Sequence, residues 1–464
     1  MKSRFVVYFL FFIISTVGCS PDPNEEANAL YVNAVKDEEM RASATSYREE
    51  LKSYKDALVN VELILSNFPT SNVAVRLASG DARLSALTVT DYRKLYEPLE
   101  ALAAIEEDPL HCALVLVEKI DGQEKWFKKS EVYTKIAGSY AKAGQGMKAS
   151  ELLDQSVSII RPHLPGVDER TLKPVVEQYV HLEQFSKALE IAKLPTRGVT
   201  EALLLAEVAR SYARSGDNLR GAKVLSQSLE ILPTVTDKSY NYQKAVTLVS
   251  IGGIYADIGQ DEKAEQVFSQ AIDIANSSED DSFRTGIFLD IAAEYVRLGY
   301  REKGLWALSQ SNSINTATAY AISQRALLYH QLDQTDKARE ILPGALADAR
   351  KHNEYERAYI LVEIADVYRE IGDFQAAEQV ISQAIDSIQR IPRVHESLKN
   401  DLFPLVANEY AKLGEYTRAF EAAGAVTDVL HTAEALANIL DSYISSGNES
   451  DKEVIIQLSE ICEI

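Results

Sequence analysis

The chain has 464 residues, a length that corresponds to about three ordinary domains. It carries 69 acidic and 48 basic residues, for a formal net charge of −21. This balance argues against broad binding to nucleic acid or to anionic membranes, because both require a basic surface. An apolar content of 46% excludes a wholly disordered chain. The three cysteines (Cys19, Cys112 and Cys462) show no CxxC spacing, so we expect neither a disulfide framework nor a thiolate zinc site. We expect Cys112 and Cys462 to be small buried residues.

The N-terminus has the charge and apolar pattern of an export signal. Lys2 and Arg4 precede Phe5–Ile14, an unbroken apolar stretch of ten residues. As a helix this stretch spans about 15 Å, half of a hydrocarbon core of about 30 Å. The stretch is therefore typical of the apolar region of a signal peptide.

The residues that end this segment resemble a bacterial lipoprotein signal. Gly18-Cys19 stands at the end, although Thr16 takes a place where that family prefers Leu. The resemblance implies that 1–19 is a signal peptide, that Cys19 becomes the lipidated first residue, and that the protein is an outer-membrane lipoprotein. The polar, Pro-broken residues that follow predict a flexible tether over 20–40. The alternatives are an ordinary signal peptide, which would leave the protein periplasmic or secreted, and an uncleaved anchor.

One pattern recurs through the rest of the chain: a small residue, then Tyr three positions later, often Gly four positions after that, and a second small residue. Apolar residues at helical spacing flank the Tyr, and the Gly stands where a helix would end, so each copy predicts a helical hairpin. The second small residue is Ala149, Ala264 or Ala377 in three of the copies. The tyrosines of the eight clear copies are Tyr140, Tyr179, Tyr212, Tyr255, Tyr295, Tyr329, Tyr368 and Tyr410, and Tyr443 marks a degenerate ninth.

This pattern resembles the tetratricopeptide repeat. The best copy matches the small–Tyr–Gly–Ala–aromatic–Ala signature of that family at Gly252, Tyr255, Gly259, Ala264, Phe268 and Ala271. Armadillo and HEAT-type repeats lack this signature. The resemblance implies an all-α solenoid of helical hairpins, a superhelix whose first helices line a groove for partner proteins or peptides.

The spacing of the copies predicts a larger unit. Tyr140 and Tyr255 are 115 residues apart, and Tyr255 and Tyr368 are 113 apart, so a three-hairpin module of about 114 residues is repeated. Nine hairpins then occupy 131–464. The predicted modules are 131–240, 241–353 and 354–464. The pattern blurs upstream, and we expect 41–130 to form irregular helical hairpins that cap the solenoid.

No motif in the sequence predicts catalysis. The chain has no P-loop, GxSxG, HExxH or EF-hand pattern. A GxGxx[GA]-like run at Gly144–Ala149 lies in a predicted hairpin turn, where it serves the repeat. The seven histidines are scattered. We therefore expect no enzyme, no catalytic residue, no cofactor, no bound metal and no small-molecule substrate.

Four cations form the candidate set of groove contacts. Each stands two residues after a repeat Tyr, near the end of a first helix; they are Lys142, Arg214, Arg297 and Lys412. We call them the cation row. In one interpretation they bind an acidic partner or a chain terminus. In the other, the helix dipole favours cations at these C-terminal positions whatever they face.

These observations together predict an interaction scaffold or adaptor of the bacterial cell envelope. Its partners would be proteins or peptides, it would contact the membrane through the lipid anchor only, and it would not bind nucleic acid. The alternative is an assembly or trafficking factor that binds exported client proteins. An enzyme hidden in the blurred region is the third class, and about 60 helical residues are too few for an independent domain with a pocket.

Overall fold

The computed structural model describes residues 22–119, 125–164, 167, 169–194, 198–314, 318–447 and 451–462. The predicted signal peptide and Cys19 lie outside these residues. The described secondary structure is helical apart from one isolated bridge between Leu84 and Leu87. The chain divides into two compact units, Met1–Glu107 and Asp108–Ile464. No described helix combines the length and the apolar content needed to span a bilayer.

The described residues of the first unit, 22–107, form five helices. They are α1 (Pro23–Ala42), α2 (Tyr47–Asn67), α3 (Asn72–Ser79), α4 (Val89–Arg93) and α5 (Tyr96–Glu107). Helices α1 and α2 pack against each other as a hairpin. The rings of Tyr54 and Tyr92 stack with centroids 4.8 Å apart, and the Tyr92 hydroxyl donates to Glu38 at 2.8 Å. These contacts join α4 to the hairpin.

Helix α1 corrects one prediction from the sequence. A flexible tether was expected over 20–40, but most of that segment lies within α1. Pro23 begins the helix, a position where proline is favourable because its missing N–H is not needed. The Asp22 carboxylate caps the same end by accepting from the Asn24 N–H at 2.9 Å. Ala27 and Ala34 are then fully buried, so the helix has a packed face.

The second unit begins with α6 (Leu110–Glu118) and continues as nine helical hairpins in its described residues. The first helices of the hairpins are α7 (Trp126–Lys142), α9 (Glu169–His181), α11 (Gly198–Arg214), α13 (Asn241–Asp257), α15 (Asp281–Arg297), α17 (Ala319–Gln331), α19 (Glu354–Glu370), α21 (Lys399–Lys412) and α23 (Val429–Ser445). The second helices are α8 (Gly146–Ile160), α10 (Phe185–Ala192), α12 (Asn218–Ile231), α14 (Asp261–Asn276), α16 (Arg301–Ser313), α18 (Thr335–Ala349), α20 (Phe374–Arg390), α22 (Tyr416–Gly424) and α24 (Lys452–Cys462). The all-α hairpin fold is confirmed, and the three-module duplication stays a prediction.

The turn inside each hairpin needs a left-handed residue. Gly259 has φ of 74°, and the next N–H, that of Gln260, donates to the Tyr255 carbonyl at 2.8 Å, which closes the end of α13. Glycines hold the same conformation in six other hairpins. Glu183 and Asp333 replace the glycine in the remaining two and still have φ of 57° and 59°. The turn geometry is therefore set by the hairpin and not by glycine alone.

Small residues allow the two helices of a hairpin to approach closely. Ala264 is only 2% exposed, and Ala149 and Ala377 are fully buried. At Gly252, a Cβ atom would lie 2.9 Å from the ring of Phe268, a distance that real Cβ atoms do not reach. The small positions of the repeat are thus steric requirements of the hairpin.

The nine first helices form a closed ring. Each contacts the first helix of the next hairpin, and α23 contacts α7. Lys135 pairs with Glu434 at 2.5 Å across this junction, and the Ser139 hydroxyl donates to Asp441 at 3.1 Å. The Glu434 side chain is only 7% exposed, so its two lysine partners, Lys128 and Lys135, neutralise a buried charge.

A disulfide between Cys112 and Cys462 also joins the two ends of the second unit. The two residues are 350 apart in sequence, and their Cα atoms are 6.0 Å apart, inside the usual range for a disulfide. Both cysteines are buried, as expected, but the expectation that they take no part in a disulfide framework is wrong, because they are bonded to each other. The pairing depends on closure of the ring, which brings α6 beside α24. The spacing of the cysteines in the sequence does not indicate this closure.

Candidate protein-binding surface

The repeat tyrosines are buried, and several of them join successive hairpins. All eight of them are at most 8% exposed. The Tyr295 hydroxyl donates to Glu265 at 3.2 Å, and Lys303 lies over the tyrosine ring while it pairs with Glu265 at 2.6 Å. The same arrangement recurs with Tyr140, Lys148 and Asp108, and with Tyr179, Lys187 and Asp154. The sequence reading missed this cation, although a Lys or Arg eight residues after the Tyr is visible in most copies.

The surface that the second helices leave uncovered belongs to the first helices, and we call it the inner face. Three members of the cation row bind carboxylates of the preceding first helix in the ring. Lys142 pairs with Asp441 at 2.7 Å, and Lys412 pairs with Asp366 at 3.0 Å. Arg214 is exposed and has no carboxylate within 4.0 Å among the described residues.

Arg297 belongs to a larger ionic network that crosses α13. It pairs with Asp257 at 2.9 Å and with Glu294 at 2.7 Å, and Arg210 of α11 reaches the same Glu294 at 2.7 Å. The network passes over Gly253, where a Cβ atom would overlap the Glu294 carboxylate. Arg297 is thus held by carboxylates of the protein itself. Contact of the cation row with an acidic partner stays a prediction.

Beside these paired cations, the inner face carries a second group of side chains, which are acidic or aromatic. Tyr242, Asp290, Tyr320, Tyr359 and Glu363 come from α13, α15, α17 and α19, and we call them the acidic–aromatic strip. Burial, reinforced by the charge of Glu294, raises the pKa of Asp290 to about 7. Burial also raises the pKa of Glu363. Neither Asp290 nor Glu363 has a Lys, Arg or His partner within 4.0 Å among the described residues, so no ion pair offsets the cost of burying these carboxylates.

The strip borders a cavity of about 230 Å³ that is lined by α17, α19 and α21. Its walls include the rings of Tyr320 and Tyr359, and its polar groups include Ser323, Glu363 and Glu409. Ser323 is 4% exposed, and its hydroxyl oxygen has no hydrogen-bond partner among the described residues. The cavity therefore offers aromatic faces and unused acceptor groups together. Within the described residues, no cluster of three or more His, Cys, Asp or Glu side chains is placed to hold a metal ion.

A model of a known family matches two of the hairpins. The tetratricopeptide-repeat family model matches 245–278 and 358–389, which contain most of hairpins α13/α14 and α19/α20. The chain carries tetratricopeptide repeats. Repeats of this kind are scaffolds for protein–protein interaction, and the match is to no catalytic family.

The similarity of this tetratricopeptide-repeat protein to solved structures is low. The crystal structure of Ton1535 from Thermococcus onnurineus NA1 is 12% identical and covers 65% of this chain and 96% of its own, with a TM-score of 0.31. The crystal structure of yeast Tom70 is 13% identical in sequence, and the match covers 95% of this chain and 100% of the Tom70 chain, with a TM-score of 0.21. A search of curated proteins finds no match.

Proposed function

We propose that this protein is an interaction scaffold of the bacterial cell envelope, which holds a segment of a partner protein against the inner face of its ring. The tetratricopeptide repeats support the binding role. The observation that carries the choice of surface is the cavity of about 230 Å³, whose walls come from three first helices. Because ion pairs already occupy most of the cation row, the remaining binding capacity of the inner face lies in the acidic–aromatic strip.

Two features support an envelope location. The first is the N-terminal segment that ends at Gly18-Cys19 and resembles a lipoprotein signal. The second is the disulfide between Cys112 and Cys462, because structural disulfides persist in oxidising compartments and are rare in the cytosol. Lipidation of Cys19 would tether the scaffold to the membrane, with an outer-membrane position proposed.

The test compares two tryptophan variants in crosslinking from intact envelopes followed by mass spectrometry. Gln324→Trp places a large ring in the cavity, whereas Gln375→Trp adds the same ring at an exposed position of α20. We expect wild type and Gln375→Trp to capture one stoichiometric partner and Gln324→Trp to lose it. Capture of many different exported proteins would favour a client-binding factor, and equal capture by both variants would contradict binding at the inner face.

A further inference from the structure

The cavity on the inner face contains a carboxylate without a cationic partner among the described residues. Two other acids of the same cavity, Asp366 and Glu409, are neutralised by two cations. Lys412 pairs with Asp366 at 3.0 Å and with Glu409 at 2.7 Å, and Arg369 pairs with both acids as well. Glu363 interacts with the Tyr359 hydroxyl and with the negative charge of Asp366. An unpaired carboxylate in a partly desolvated site favours a cation from outside the ring.

Ser323 supplies an independent sign that the cavity is built for a ligand. Ser323 is only 4% exposed, yet its hydroxyl group has no hydrogen-bond partner among the described residues. Buried polar groups almost always have partners, and a hydroxyl oxygen has two lone pairs for an N–H donor. A donor group that enters the cavity would satisfy it.

The two tyrosine rings give the cavity its shape and reinforce its charge preference. Tyr320 is 52% exposed and Tyr359 is 44% exposed, so both rings are open to a ligand. Burial raises the pKa of Tyr320, and the charges of Asp290 and Glu363 add to this effect, so both acids lie near its hydroxyl. The faces of aromatic rings attract cations, and a planar guanidinium stacks on them as well.

We propose that this cavity takes an arginine side chain from the bound partner, an inference that rests on the proposed function. The guanidinium would stack on Tyr320 or Tyr359, donate two N–H groups to Glu363 and donate a third to Ser323. The size is suitable, since a cavity of about 150 Å³ already holds benzene. Asp290 extends the same preference along the strip, so the partner segment is basic.

The test uses a fluorescein-labelled peptide of twelve residues, glycine and serine with three spaced arginines, whose binding is followed by fluorescence anisotropy. In a second peptide, citrulline replaces each arginine, which keeps the shape and removes the charge. We expect the full chain to bind the arginine peptide at least tenfold more tightly. Glu363→Gln should remove most of that difference, and Glu302→Gln, an exposed acid on α16, should leave it unchanged. Ser323→Ala should weaken arginine binding, because it removes the acceptor for the third N–H group.

Equal affinity for the two peptides in the wild-type protein would overturn the inference without any variant. Displacement of the arginine peptide by spermidine at equal concentration would assign the cavity to a small amine and also overturn it. The proposed function is tested separately, because a partner that is lost with Gln324→Trp but captured normally by Glu363→Gln would support inner-face binding while it refutes the arginine anchor. Circular dichroism of Glu363→Gln establishes that the helices remain.

Discussion

Removal of the disulfide between Cys112 and Cys462 should weaken the closure of the ring. The bond spans 350 residues, for which the loop-entropy relation gives about 6 kcal/mol of stabilisation, while measured values centre on about 2–4 kcal/mol. The ion pair between Lys135 and Glu434 remains in Cys462→Ala. We therefore expect this variant to stay folded in buffer and to unfold at lower urea concentration than wild type.

Urea unfolding followed by circular dichroism, with and without reductant, measures this effect. Reductant should lower the wild-type midpoint towards that of Cys462→Ala and should leave the variant unchanged, which separates loss of the bond from loss of side-chain packing. Amide exchange should then rise most in α7 and α23, the helices that meet at the junction. Alkylation of both Cys112 and Cys462 in the unreduced wild-type protein, or a midpoint insensitive to reductant, would refute the reasoning.

Three further predictions concern packing, pH and the anchor. Ala338→Leu, at a fully buried position of α18, should lower the free energy of unfolding in urea by about 1–3 kcal/mol. Ala347→Leu, at an exposed position of the same helix, should change it by no more than about 0.5 kcal/mol. Equal effects of the two variants would contradict the hairpin register. Asp290 has a folded pKa of about 7 against an ordinary 3.8, so its contribution to stability falls as pH rises from about 4 to 7. Asp290→Asn, which also removes repulsion from Glu294, should gain stability relative to wild type over that interval by at most about 4 kcal/mol, and parallel pH profiles would show that Asp290 ionises normally. Cys19→Ser should leave the protein either soluble in the periplasm or retained as an uncleaved precursor. Release of the wild-type protein into the aqueous fraction without detergent would contradict lipidation.

The hairpins could be predicted from the sequence because each is a local structure. The spacing of small residue, Tyr and Gly is set by contacts within about 35 residues, so Tyr255, Gly259 and Ala264 reveal a hairpin without knowledge of the rest of the chain. The pattern even held where Glu183 and Asp333 replace glycine, and both adopt the left-handed conformation.

Features that depend on the arrangement of all nine hairpins in the ring could not be predicted from the sequence. Closure of the ring follows from the small rotation between neighbouring hairpins summed over the whole unit, and this rotation leaves no sequence motif. Cys112 and Cys462 therefore looked unrelated. For the same reason, Glu363 could not be distinguished from the other acids until its neighbours on α17 and α21 were known. Pro23, one of the residues that suggested a flexible tether, is in fact the first residue of α1.

Photo-crosslinking on the inner face tests the central claim most directly. A benzophenone amino acid in place of Tyr320, 52% exposed beside the cavity, is compared with the same group in place of Phe374, 59% exposed on α20. We expect illumination of living cells to give one discrete adduct from position 320, we expect Gln324→Trp to abolish it, and we expect no such adduct from position 374. An adduct with the same partner from position 374 alone, or an adduct at position 320 that survives Gln324→Trp, would contradict binding at the inner face.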